Sequence, residues 1–266
     1  MLERVTAMEY VAAPGNGRTK PAHLVCEKPD GSTVELMVKA SAGCEEGVVH
    51  LAREVIAACL AGDLGLPVPK PWLVEIPPAF AAIIPDTDRR EKFRASVPVA
   101  FGSTLITGQY GTWVPGTRIT EAMVLTAAAI FTFDAIIGNS DRKVDNANCL
   151  VRGDAIRIFD HELCFADALL LRLLRPPPPW ALGGLKPLET PGAHIFRAGL
   201  VGRTVDWPSI EARWQGLSDV RLSAYENAIP PEWAAAMPQA AAAVSLIRDA
   251  RDNIDGCLNE IRRVLT

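Results

Sequence analysis

Residues 134–165 read DAIIGNSDRKVDNANCLVRGDAIRIFDHELCF, and this stretch decides the fold. An apolar helix end runs into a dense polar loop that contains Asp141 and, five positions on, Asn146. Two short strands are expected next, Cys149-Leu150-Val151 and Ile156-Arg157-Ile158-Phe159, joined by a turn at Arg152-Gly153-Asp154. The second strand ends on a further carboxylate, Asp160. The hairpin thus gathers an Asp, an Asn and another Asp around one small volume.

Outward from this loop, Glu121–Ile137 is expected as a buried helix that enters it. Before residue 105 the chain is strand-rich. Strands are expected at Met8–Ala13, Ala22–Glu27, Thr33–Ala40, Trp72–Ile76 and Val97–Ile106. A helix over Glu45–Leu60 interrupts them, with Val48, Leu51, Ala52, Val55, Ile56 and Cys59 at helical spacing, and Leu64-Gly65-Leu66-Pro67-Val68-Pro69 ends it. Asp86–Arg94 reads as a charged surface loop. Beyond the hairpin, helices are expected at Asp167–Leu174, Trp207–Leu217 and, as two helices, Pro231–Leu265, with Pro176–Pro179 a stiff connector. The expected class is α+β in two lobes. Residues 1–104 would form a small antiparallel-sheet N-lobe with one helix, and residues 105–266 a mainly helical C-lobe. The polar loop opens the second lobe and would face the first across a nucleotide cleft.

Composition narrows the function. Hydrophobic residues make up 49% and charged residues 22% of 266, which is ordinary for a globular protein. A net charge of -4 gives no general attraction to nucleic acid. The six cysteines are scattered, without a C-x-x-C pair, which disfavours a metal finger and favours a reducing compartment, the cytoplasm. The N-terminus lacks a secretory apolar region, and no apolar run is long enough for a membrane span. The sequence carries no signature of oligomeric state.

The polar set suits phosphoryl transfer. One carboxylate, Asp141, would orient the acceptor hydroxyl, while Asn146 and Asp160 would hold Mg²⁺ against ATP. Asn148, two positions beyond Asn146, is the rival ligand, or else braces the loop through backbone hydrogen bonds. Asp160 follows an apolar strand, where a carboxylate is costly unless a cation or donor meets it. His161 is expected to be structural, bonded to nearby backbone. His23, His50 and His194 have no evident partners.

Asp141-Arg142-Lys143-Val144-Asp145-Asn146, followed by a hairpin ending at Asp160-His161, resembles the catalytic segment of HipA-like kinases, bacterial relatives of protein kinases and phosphoinositide kinases. Val38-Lys39 closing a strand, the helix containing Glu54, and the Leu64–Pro69 segment are similar to the same family, in its stand-alone kinase-domain form. The resemblance implies a protein-kinase-like fold and serine or threonine of a protein as acceptor. It implies that Lys39 contacts the nucleotide phosphates and pairs with Glu54, and that the loop from Gly15 through Gly17 to Lys20 covers the phosphates. It also implies that Phe101-Gly102-Ser103 is a hinge meeting adenine through backbone groups. That loop lacks the full G-x-G-x-x-G pattern, so a non-catalytic nucleotide-binding domain stands as one alternative. A kinase of a small molecule or lipid is another, although no basic membrane-binding face is evident.

Overall fold

The computed structural model describes residues 2–15, 18–166 and 177–266. The expected helix at Asp167–Leu174 and the loop position Gly17 lie outside the described residues. The chain divides into two compact units, each discontinuous in sequence. One comprises Met1–Cys59, Pro69–Thr107 and Ala224–Ala241; the other comprises Leu60–Val68, Gly108–Ser223 and Ala242–Thr266.

The first unit is built on five strands: β1 (Arg4–Ala12), β2 (Ala22–Glu27), β3 (Thr33–Lys39), β4 (Pro71–Glu75) and β5 (Val99–Thr104). They close into a barrel in the order β1-β2-β3-β5-β4. A small antiparallel sheet is the sequence expectation, and here the structure differs. β1 and β4 pair in parallel, with Val5 opposite Val74, while the other barrel pairings are antiparallel. A parallel pair needs a long crossover. The chain supplies one, because α1 (Val48–Asp63) lies between β3 and β4. Alternation along the strands sends Leu24, Leu36, Val38 and Val74 inward, and all four are fully buried.

The charged stretch Asp86–Arg94, expected as a surface loop, is mostly helix. After α2 (Pro78–Ile83), α3 spans Thr87–Ala95. The Asp86 side chain caps it by accepting from the Arg89 backbone N–H at 2.8 Å, and Arg89 and Phe93, four apart, are both buried. The segment Ala224–Ala241 returns to this unit. There the Trp233 indole N–H donates to the Val99 carbonyl at 2.9 Å.

The second unit centres on α4 (Val124–Ile137), preceded by a 3-10 turn at Glu121–Met123. Ala127 through Ile137 are all buried, which explains the near-continuous apolar run there. Gly138 ends the helix in the left-handed conformation (φ +67°), the backbone state glycine takes without steric cost. Two-residue β6 (Gly111–Thr112) pairs with β7 (Cys149–Arg152), and β7 pairs with β8 (Ala155–Ile158). Helices α5 (Arg197–Leu200), α6 (Trp207–Gln215) and α9 (Ile254–Val264) belong wholly to this unit; α7 (Asp219–Glu226) and α8 (Met237–Asp252) run from one unit into the other. α4 packs on α5 and α9. No helix among the described residues is long and apolar enough to cross a membrane.

Candidate active site

The loop after α4 is organised around a carboxylate buried in that helix. Asp134 sits in an apolar environment, where an ion without donors would be very costly. Three donors meet it: the Asn139 side-chain amide at 2.6 Å, Arg142 Nε at 2.6 Å and His194 Nε2 at 3.0 Å. Burial works against its ionisation, but the adjacent Arg142 charge and the His194 hydrogen bond hold its carboxyl well below the usual carboxylate range. Arg142 is fully buried. Its guanidinium also donates to the carbonyls of Asn148 and Phe159 and to His161 Nε2, the last at 2.9 Å. One side chain therefore ties the helix to the polar loop and to the end of β8.

On that loop, Asp141 Oδ2 accepts from the side-chain amides of Asn146 (2.7 Å) and Asn148 (3.0 Å), and its backbone N–H donates to Asn139 Oδ1 at 3.2 Å. Asn146 is exposed, and its amide oxygen is turned away from Asp141. Asn148 has φ +43°, and its carbonyl accepts from the Phe159 N–H at 3.2 Å as well as from Arg142. The hairpin turn uses Gly153 at φ +55°. It sets Cys149 opposite Ile158 and thereby returns Phe159 to Asn148. Asp160 follows at φ +61°, a conformation rare outside glycine that Asp and Asn tolerate best, and one that clusters at functional sites. The Leu64–Pro69 segment joins this array, because the Pro67 carbonyl accepts from the Ile158 N–H at 3.0 Å.

In the first unit, Lys39 closes β3 and its ammonium lies 2.6 Å from Glu54 Oε1 on α1. Both are buried, Lys39 at 9% and Glu54 at 2% exposure. Gly15 stands at φ +55° where the loop leaves β1, and its carbonyl accepts from Arg89 at 3.2 Å. The Arg89 Nε–H donates to the Pro21 carbonyl at 2.9 Å, so α3 holds both ends of this loop. Lys20 pairs with Asp88 at 3.8 Å and Arg18 with Glu45 at 3.4 Å. Phe101, Gly102 and Ser103 are placed within β5, with β3 on one side and β4 on the other, rather than in a connecting segment. Gly102 has a packing reason. A β-carbon there would lie 2.7 Å from Val74 Cγ2 and 3.1 Å from Leu36 Cδ1.

The histidines do have partners. His194 bonds Asp134, His23 meets Glu35 at 2.8 Å and His50 meets Glu46 at 3.1 Å. His161 is tied through its side chain to Arg142 rather than only to backbone. Asp134 and Arg142 organise this loop, and sequence reasoning passed over both. The available signal was a carboxylate inside an otherwise apolar helix, which demands a partner.

The sequence pattern of the HipA-like kinase family matches residues 9–172. No curated protein matches the chain. Among solved structures, the crystal structure of a Helicobacter pylori proinflammatory kinase, CtkA, is similar, with a TM-score of 0.51 and 14% identity over 95% of this chain and 96% of that chain. The likeness is one of fold.

Proposed function

The chain belongs to the HipA-like kinase family, and on that premise we propose that it is an ATP- and Mg²⁺-dependent kinase transferring the γ-phosphoryl group to a serine or threonine hydroxyl of a protein. The observation that carries this reading is the Asp141 carboxylate, oriented by Asn146 and Asn148 on a loop that Arg142 ties to the residue preceding Asp160. In this reading Asp141 orients the acceptor hydroxyl and takes its proton. The donor chemistry fits the ion. The Asn146 amide N–H is spent on Asp141, which leaves a neutral carbonyl oxygen, and Asp160 adds a carboxylate; hard oxygens of this kind suit Mg²⁺. Asn148, with its carbonyl engaged twice, serves as the brace. When bound, Mg²⁺ supplies charge neutralisation at the phosphate oxygens.

Lys39, aligned by Glu54, contacts the phosphates, and the loop from Gly15 to Lys20 covers them. The ion pairs that now occupy Arg18 and Lys20 are no obstacle, since exposed pairs contribute only about 0–1 kcal/mol. The two compact units take the parts of the two kinase lobes. That none of the six cysteines is joined in a disulfide supports a reducing compartment, hence the cytoplasm.

The test incubates purified protein with Mg²⁺, radiolabelled ATP and a generic protein acceptor. Asp141→Asn should lower transfer by about 10²–10⁴, the usual contribution of a positioned base, with the fold intact. Nucleotide binding with no phosphate moved by the wild type would identify a non-catalytic nucleotide-binding domain instead.

A further inference from the structure

The loop that carries Asp141 is strapped by a segment far along the chain. The Val144 N–H donates to the Gly192 carbonyl at 3.2 Å, and the Ile195 N–H donates to the Arg142 carbonyl at 3.2 Å. Residues 192–195 thus run antiparallel beside residues 142–144. Gly192 has φ +80°, which starts the strap at its required angle. Between the two backbone contacts His194 turns inward and is 2% exposed. Its Nδ1 accepts from the Phe196 N–H at 3.1 Å, so in the neutral ring the proton belongs to Nε2, which donates to Asp134 Oδ2 at 3.0 Å. The Phe131 ring stands edge-on to the imidazole, with centroids 4.8 Å apart. This oxygen of Asp134 also receives Arg142 Nε. A connected chain therefore runs from His194 through Asp134 and Arg142 to the carbonyls of Asn148 and Phe159. His194 lies outside residues 9–172, the part that matches the family pattern.

We propose that His194 is a positioning residue for phosphoryl transfer. By fixing the Asp134 carboxylate it fixes the Arg142 guanidinium, and with it the carbonyls of Asn148 and Phe159, which lie two residues after Asn146 and one residue before Asp160. The inference rests on the kinase reading above. Partners hydrogen-bonded directly to metal ligands typically affect metal affinity or activity by about 10–100-fold, and His194, which acts through Asp134 and Arg142, belongs at the low end of that range.

Three variants test it. His194→Phe keeps the ring contacts but removes the donor to Asp134. His194→Asn keeps an acceptor for the Phe196 N–H but is too short to reach Asp134. His194→Gln can place an N–H near the position of Nε2. The first two should lower kcat and raise the Mg²⁺ concentration for half-maximal activity, each by about 10-fold, with the ATP KM at saturating Mg²⁺ unchanged, and Gln should restore most of both. Hydrogen exchange should quicken at residues 141–149 and 159–161 in the Phe and Asn variants, beyond any local change in the strap at residues 192–196, a change readable without turnover. A folded His194→Phe or His194→Asn protein with unaltered exchange there overturns the proposal. So does a loss of kcat without a raised Mg²⁺ requirement. Asp141→Asn is run alongside. Transfer by the wild type no greater than by that variant would refute the kinase reading, while the exchange result still decides the role of His194.

Discussion

A buried ion makes the side chains around it predictable, and Asp134 is the best case in this protein. Arg142 is fully buried and offsets the cost of the carboxylate, so Arg142→Met should destabilise the fold by about 3–5 kcal/mol, the usual result of leaving a buried charge alone, read by urea unfolding. The same network sets a pH dependence. Burial pushes the His194 pKa below its ordinary 6.5, and the Asp134 hydrogen bond opposes this only in part. The folded value lies below the unfolded one, so acid favours the unfolded chain, which takes up the proton first. His194's contribution is therefore complete above 6.5 and is lost as pH falls through its folded value. Asp134, also depressed, adds a second loss below 3.8. The urea midpoint should begin to fall below 6.5 in the wild type, and that first decline should be absent in His194→Gln. Parallel curves for the two proteins would remove the neutral-imidazole assignment. The loop and hairpin that carry Asp141, Asn146 and Asp160 were legible because their signals are local. The partnership of His194 with Asp134 was not, because nothing in either neighbourhood names a residue so far along the chain.

At the scale of elements, α3 shows how charge can conceal structure. Its sequence is dominated by Asp, Arg, Glu and Lys, and the two positions that face inward, Arg89 and Phe93, are too few to announce a buried face. Arg89 is nonetheless the fastener of the neighbouring loop, donating to the carbonyls of Gly15 and Pro21 and to Asp86. Charged-group hydrogen bonds contribute about 1.5–3 kcal/mol each, so Arg89→Ala should destabilise the first unit by about 2–4 kcal/mol and speed proteolysis at the loop ends. Arg89→Lys should not rescue it, because an ammonium cannot span three acceptors fixed for a planar fork. β2 was read from end to end because its flanks carry clear turn chemistry, Pro29-Asp30-Gly31-Ser32 on one side and the Gly15–Pro21 loop on the other. α1 begins and ends three residues later than its periodicity suggests. Its stop is Gly65 at φ +68°, with the Leu66 N–H bonded back to the Ala61 carbonyl, rather than the prolines that follow.

For the whole molecule, bound ligand should register as stability. ATP at 100 times its dissociation constant should add about 2.7 kcal/mol, a melting shift of roughly 5–11 °C for a chain of this size. The shift should require Mg²⁺ and shrink in Asp160→Asn; an undiminished shift in that variant would remove Asp160 from the metal site. The barrel strands, α1, α4 and the hairpin were legible because each reports its own periodicity. Closure of the barrel was not, because β1 and β4 are distant in sequence and neither encodes which partner it will take or in which direction. Gly102 is the local sign of that closure, since the interior leaves no room for a side chain there, and Gly102→Ala should destabilise by about 1–3 kcal/mol. Because β1 bonds to β2 on one flank and to β4 on the other, a chain lacking residues 4–12 would present two raw seams of unmet amide and carbonyl groups at once. Such seams recruit strands from other copies. The shortened protein should accumulate as thioflavin-positive oligomers under conditions where the full-length chain does not.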